Sequence, residues 1–348
     1  MNILIRCDSS KDIGSGHLMR CLSLGEKLKK NSHTVNFVCR KLPGSMVGLI
    51  ESQGYNFAEI EYSDFNQLED ANKTIDKIKE IYSEKLDWVI VDHYDLDIKW
   101  ESLVSKFSKK IMVIDDLANR NHFCNLLLDQ NFYINLTERY KNLVPKSCIT
   151  LLGPSHVLLR DEFYNLAKLN KIRDGHITNI LIFFGAGDPL NLTSAVLKAL
   201  KSIPITKINI NVVLGEINPY IDEVKKLCNE FKNINFYGQV KNMAQLIYEA
   251  DLCIGAGGSS MWERCYLGLP TITVIFAENQ KQTSLDTATK GAIHCLGLSS
   301  DLEDIDYIKA INFMLSNPLI VKRISENARK IYTPPSVSIL DLLELTSK

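Results

Sequence analysis

A histidine placed directly behind a glycine-rich turn is the first chemically suggestive feature of this chain. The stretch "DSSKDIGSGHLMR", residues 8–20, sets His17 after the turn Gly14, Ser15 and Gly16, between an apolar strand and an apparent helix. Glycines there let the backbone approach a ligand, and the free N–H groups of a helix N-terminus attract an anion. The same partial positive charge disfavours imidazolium, which biases His17 toward the neutral form that a general base needs. The competing reading is a helix-start histidine bonded to backbone or solvent, and spacing does not choose between the two. The turn is not a full dinucleotide fingerprint, because Met19 occupies the third glycine position.

A second stretch, "GAGGSSMWERCYLGLPTITVIFAENQ", spans residues 255–280. Gly255, Gly257 and Gly258 end a strand, and Ser259 and Ser260 are placed to cap the next helix while meeting phosphate oxygens. Glu263 follows one turn later on the face of Ser259, where a carboxylate accepts both hydroxyls of a ribose. Gly268 and Pro270 fit a helix stop and strand start. Asn279 and Gln280 then fall just after a strand, where open α/β sheets bind ligands. The order of these pieces points to phosphate or nucleotide binding. Three other stretches carry less. "DHYDLD" (92–97) has metal-ligand residue types but no second ligand cluster. Asp115 and Asp116 read as a solvated or helix-capping pair rather than as catalytic acids. In "FFGAGDPLN" (183–191), Asp188 or Asn191 is expected to cap a helix.

These residues need a scaffold, and the apolar pattern describes one. Continuous apolar runs at 2–7, 34–39, 88–92, 111–116 and 125–129, then at 179–185, 208–213, 252–255 and 271–276, read as parallel strands buried on both faces. Helices are expected between them, at 191–202, 220–231, 242–250, 259–267 and 279–290 in the second half. Such alternation implies an α/β fold of two Rossmann-like domains facing a cleft. The expected division is 1–164, a polar linker at 165–178, and 179–348, with helices through the last stretch broken at Pro334–Pro335. The 348 residues are 45% hydrophobic and 23% charged, with a formal net charge of −1. That balance argues against a nucleic-acid or anionic-membrane surface and gives no reason to expect more than a monomer. No apolar run approaches the roughly 20 residues of a membrane span, and no signal peptide is legible. Nine cysteines without a CxxC pair fit reduced thiols, several of them in apolar segments, and a cytoplasmic protein.

Taken together, the stretches "IRCDSSKDIGSGHLMRCLSL", "VDHYDLD", "IDDLANR", "LLLDQN", "LLGPSHVLLRDEF", "FFGAGDP", "GAGGSSMWERCYLGLP" and "AENQ" resemble the UDP-2,4-diacetamido-2,4,6-trideoxy-β-L-altropyranose hydrolases of pseudaminic acid biosynthesis. The resemblance runs over nearly the whole chain. It implies the glycosyltransferase type B fold and a hydrolysis, without metal or cofactor, that releases UDP and the free sugar with inversion. It further implies that His17 is the catalytic base, that Tyr94 lines the sugar pocket and that Asn279 contacts substrate. Gly258, Ser259 and Glu263 would then hold the UDP, with Gly14, Ser15, Gly16 and Gln280 completing the substrate site. The partner expected is a small-molecule UDP-sugar. A UDP-sugar-dependent glycosyltransferase of the same fold, or a hydrolase of a related UDP-diacetamido sugar, is the alternative.

Overall fold

The computed structural model of the protein describes residues 1–10, 13–62, 64–216, 218–238, 240 and 242–347. The chain forms two compact units. Unit 1 comprises Met1–Asn131, Asn135–Arg160 and the segment from Pro334 onward; unit 2 comprises Phe132–Ile134 and Asp161–Thr333.

The strands of unit 1 are β1 (Asn2–Cys7), β2 (Thr34–Arg40), β3 (Asn56–Ile60), β4 (Leu86–Asp92), β5 (Ser108–Ile114), β6 (Leu126–Asp129) and β7 (Ile149–Leu152). They form one sheet in the order β3-β2-β1-β4-β5-β6-β7, with every neighbouring pair parallel. Side chains alternate between the two faces. Ile3, Ile5 and Cys7 pack on one side with Leu18 and Leu22, while Leu4 packs on the other with Ala71, Ile75 and Trp100. Burial on both faces is why the inner strands read as unbroken apolar runs.

Unit 2 repeats the plan with β8 (Asn179–Phe183), β9 (Asn209–Val213), β10 (Ile234–Tyr237), β11 (Leu252–Ala256), β12 (Thr271–Ile275) and β13 (His294–Leu298). Its order is β10-β9-β8-β11-β12-β13, again all parallel. Each sheet reverses its winding beside its first strand, between β1 and β4 and between β8 and β11. Open α/β sheets bind ligands outside the strand ends at such a point. Both glycine turns lie there: Gly14–Gly16 follows β1, and Gly257–Gly258 follows β11.

The expected helices form at Leu192–Leu200, Ile221–Cys228, Met243–Glu249, Ser260–Tyr266 and Glu278–Thr289. The domain boundaries differ from the sequence reading in two places. Residues 165–178 are not a free linker, because Arg173 is buried and donates to the carbonyls of Ile247, Tyr248, Ala250 and Leu267. A guanidinium placed there meets the unpaired carbonyls at a helix C-terminus. The last helix, Ile339–Ser347, belongs to unit 1 rather than to the second half: Leu343 is buried in the unit 1 core and its carbonyl accepts the indole N–H of Trp88 at 3.1 Å. Helical periodicity reveals which face is buried, but not against which sheet.

Candidate functional site

The unit 1 site begins with the turn after β1. Gly14 donates its N–H to the carbonyl of Ser10 at 2.9 Å with φ of 78°, a conformation that favours glycine. The helix Gly16–Lys30 starts two residues later, so His17 lies in its first turn and Arg20 lies one turn on along the same face. Ser15 occupies the N-cap but makes no side-chain capping bond.

Arg20 of the same helix and three residues from distant segments, Asp92, Tyr94 and Asp116, form a network around His17. Its Nδ1 is 2.5 Å from Asp92 Oδ1, at the C-terminal end of β4. Arg20 grips the same carboxylate through Nε at 2.6 Å and Nη2 at 2.7 Å. Its Nη1 reaches Asp116 Oδ2 at 2.9 Å, and Asp116 Oδ1 accepts the hydroxyl of Tyr94 at 2.7 Å. The rings of Tyr94 and His17 meet edge to face with centroids 4.5 Å apart, which closes the loop.

This arrangement assigns the imidazole proton. Arg20 Nη2 also lies 3.2 Å from His17 Nδ1, but that nitrogen cannot donate to Asp92 and accept from Arg20 at once. Burial by itself would raise the Asp92 pKa, yet the Arg20 charge and the hydrogen bonds from Arg20 and His17 hold it well below the usual carboxylate range. Asp92 is therefore an acceptor only. The short contact makes Nδ1–H the donor, so in the neutral ring it is Nε2 that carries the lone pair.

Asp115 and Asp116 are buried, not solvated, and neither caps a helix. Asp115 turns inward, where it pairs with Arg120 at 2.7 Å and accepts from Tyr140 at 3.0 Å and from the N–H of Ala118 at 2.9 Å. Beside it, buried His122 contacts Glu101 through Nδ1 at 2.7 Å, with Nε2 3.8 Å from Asp115 Oδ2. Burial pushes the His122 pKa down, but Asp115 and Glu101 outweigh it and lift it to about 9. Anchoring Asp115 inward leaves its neighbour Asp116 to face Arg20.

The "DHYDLD" segment divides its polar residues among separate tasks. Asp92 serves His17, His93 Nε2 contacts Asp8 at 3.0 Å, and Asp97 caps the helix Ile98–Val104 through the N–H of Lys99 at 2.8 Å. Asp8 in turn pairs with fully buried Arg6 at 2.5 Å and with Arg40 at 2.7 Å. Among the described residues, no group of three His, Cys, Asp or Glu side chains is arranged to hold a metal ion. Burial raises the thiol pKa of Cys21, which lies 3.5 Å from Asp92, so it stays protonated.

In unit 2 the second glycine stretch follows β11. Gly257 is required by packing, since a Cβ there would fall 2.1 Å from Ser284 Oγ. Gly258 is more open, and a Cβ would come to 3.5 Å from Gln280 Nε2. The helix Ser260–Tyr266 begins beyond an exposed Ser259 whose hydroxyl makes no capping bond, while Ser260 Oγ accepts from buried Arg264 at 3.1 Å. The expected capping role for both serines is therefore not what the structure shows. Glu263 is half-buried one turn further on, and Asn279 is exposed in the first turn of the helix Glu278–Thr289. Gln280 is buried, and its Oε1 accepts the N–H of Phe276 at 3.3 Å, so part of its carboxamide is committed to the β12 turn. After β8, Asp188 caps the helix Leu192–Leu200 by accepting from Leu192 and Thr193 at 2.9 Å each. Ala186 holds this loop by accepting from the N–H of Gly215 at 3.0 Å.

Unit 1 thus brings His17 and Tyr94 together with Asp92 and Arg20, to which sequence reading gave no role, and with Asp116, which it read as solvated or helix-capping. The spacing of His17 and Arg20 was a signal on the page. Asp92 becomes visible only through the strand register that pairs Cys7 with Asp92.

Comparison with known proteins follows the same lines. Residues 179–305 match the glycosyltransferase family 28 C-terminal domain. A Campylobacter jejuni protein, UDP-2,4-diacetamido-2,4,6-trideoxy-β-L-altropyranose hydrolase, is 31% identical over 84% of this chain and 97% of its own length. An uncharacterized protein of Methanocaldococcus jannaschii is also 31% identical, over 81% of this chain, but the match spans only 57% of that longer relative. Among solved structures, the MurG of Acinetobacter baumannii superposes with a TM-score of 0.67 over 99% of this chain and 98% of its own, at 15% identity. Such a likeness carries the fold, glycosyltransferase type B with its two Rossmann-like domains, and not the function. Among the described residues, no helix is long and apolar enough to cross a membrane.

Proposed function

We propose, since the chain belongs to the family of the UDP-2,4-diacetamido-2,4,6-trideoxy-β-L-altropyranose hydrolase, that it cleaves the anomeric C1–O bond of this or a closely related UDP-diacetamido sugar. The products are UDP and the free sugar with inverted configuration, a step of pseudaminic acid biosynthesis performed by a cytoplasmic monomer. The observation that carries the reading is the His17–Asp92 pair, which commits Nδ1–H to a carboxylate and presents a basic Nε2.

In this mechanism His17 Nε2 takes a proton from water as the water oxygen bonds to C1. The C1–O bond breaks opposite to it, and its electron pair leaves on the β-phosphate of UDP. General base catalysis of this kind supplies about 10²–10⁴-fold. Stabilisation of the leaving diphosphate must supply much of the rest, and it falls to backbone N–H groups near Gly258 and Ser259. Glu263 is assigned the ribose hydroxyls, Tyr94 and the Gly14–Ser15–Gly16 turn the sugar, and Asn279 and Gln280 the remaining substrate contacts. Charge on the leaving group is met by dipoles in this scheme, so chelators leave turnover unchanged.

Hydrolysis in ¹⁸O-water across a panel of UDP-diacetamido sugars tests the proposal. Label is expected on the anomeric oxygen of the sugar, read before mutarotation exchanges it, with UDP as the first nucleotide product. Label in phosphate, or UMP as the first product, refutes it. The family 28 match favours a second reading, in which an acceptor hydroxyl replaces water. UDP release that depends on an added acceptor would establish that reading instead.

A further inference from the structure

We infer that Arg20 is a positioning residue that sets both His17 and Tyr94, each through its own carboxylate. The inference rests on the reading of His17 as the base and of Tyr94 as a wall of the sugar pocket. Arg20 uses one edge of its guanidinium, Nε and Nη2, on Asp92 at 2.6 and 2.7 Å, and the other nitrogen, Nη1, on Asp116 at 2.9 Å. Those carboxylates then orient the two working groups: Asp92 Oδ1, which Arg20 Nη2 itself contacts, holds His17 Nδ1 at 2.5 Å, and the far oxygen of Asp116, Oδ1, accepts the Tyr94 hydroxyl at 2.7 Å. One planar cation thereby fixes the relative placement of a base and of a pocket wall that arise 77 residues apart in sequence (94 − 17).

The chemistry of the guanidinium explains why arginine suits the position. Asp92 and Asp116 are both buried, and two buried carboxylates repel unless a cation lies between them. A lysine could supply the charge, but its single ammonium cannot present an edge to one carboxylate and a separate N–H to the other. Arg20 is itself buried, and although burial by itself lowers its pKa, the charges of Asp92 and Asp116 raise it well above the ordinary value, so the brace persists at any working pH. Reacting groups must be held to within fractions of an ångström, which is the task of such supporting residues.

The test combines kinetics with a readout that needs no turnover. Arg20→Lys is expected to lower kcat for UDP release by about 10–100-fold, the usual effect of losing an orienting partner, with KM moved far less. The same substitution in a His17→Asn background is expected to lower the residual rate far less than it lowers the wild-type rate, because there is no longer a base to misplace and only the Tyr94 wall is disturbed. Equal losses in both backgrounds, or an unchanged kcat in Arg20→Lys, overturn the inference. ¹⁵N NMR of the histidine rings supplies the independent arm. Wild-type His17 is expected to carry its proton on Nδ1, and Asp116→Asn, which keeps the shape at that site, is expected to shift the Tyr94 hydroxyl environment and the His17 ring together. A wild-type Nε2–H tautomer, or a shift confined to Tyr94, overturns it even if Arg20→Lys fails to fold. Absence of UDP release by the wild-type protein would refute the hydrolase reading alone and leave the NMR arm to decide the brace.

Discussion

Unit 1 should lose stability as pH rises, because His122 is held in its charged form. The imidazole is buried between Glu101, 2.7 Å from Nδ1, and Asp115, 3.8 Å from Nε2. The second distance exceeds hydrogen-bond reach, so the attraction there is coulombic. Burial opposes the charge, but the two carboxylates prevail and raise the pKa from 6.5 to about 9. Folded protein therefore binds the proton more tightly than unfolded chain does. The stabilisation is fully present below about pH 6.5 and disappears as pH rises through about 9. At about 1.4 kcal/mol per pH unit, the rise is worth about 3 kcal/mol. The perturbation is His122→Asn, whose amide can still donate to Glu101 but cannot be charged. Denaturant unfolding at pH 6 and pH 10, followed by tryptophan fluorescence in a Trp262→Phe background, reports on Trp88 and Trp100 of unit 1. The advantage of the wild type over the variant should shrink by about 3 kcal/mol between those pH values. Asp129, lifted to about 7 by burial and by the charge of Asp116, titrates in both proteins and cancels in the comparison. A difference that stays constant with pH would refute the reasoning.

Replacing His17 by Asn should lower turnover by about 10²–10⁴-fold, while the affinity for UDP, measured by calorimetry, stays near the wild-type value. Gly257→Ala should cost about 1–3 kcal/mol, the usual penalty of overpacking, because its Cβ meets Ser284 Oγ at 2.1 Å. Since that hydroxyl has no hydrogen-bond partner among the described residues, adding Ser284→Ala should restore most of the loss in thermal unfolding. Asp188→Ala should destabilise unit 2 by about 1 kcal/mol through loss of a helix cap, with faster amide exchange at Leu192 and Thr193 as its signature.

The strands missed by sequence reading share one physical cause. β3, β7, β10 and β13 are the outermost strands of their sheets, and their residues are largely exposed or half-buried. An edge strand contacts one neighbour only, so it lacks the continuous apolar run that marks an inner strand. All inner strands carried that run and were legible. The site followed a similar rule. His17 was reached through a local motif and Tyr94 through the family resemblance, but Asp92 was left without a role and Asp116 was misread because their partner Arg20 lies 72 and 96 residues away. Reading Asp115 and Asp116 as solvated is correct for an isolated pair after a strand. It fails here because Arg20 and Arg120 compensate the buried charges. The cap at Asp188, by contrast, is local and was foreseen.

The helix Ile339–Ser347 imposes an order on biosynthesis. Unit 2 is almost continuous between Asp161 and Thr333, so everything it needs, apart from the short earlier segment Phe132–Ile134, has emerged once residue 333 clears the ribosome. Unit 1 starts first yet waits longest. Until the final helix arrives, the indole N–H of Trp88 lacks the Leu343 carbonyl, and the surface later covered by Ile339 and Leu343 stays open. Domains made in sequence ordinarily fold from the amino terminus forward; here the half bearing His17 is closed only after unit 2 has emerged, by the helix Ile339–Ser347. A chain that stops before Ile339 would therefore carry a finished unit 2 and an unsealed unit 1, which makes this helix a checkpoint on the assembly of the unit that bears His17.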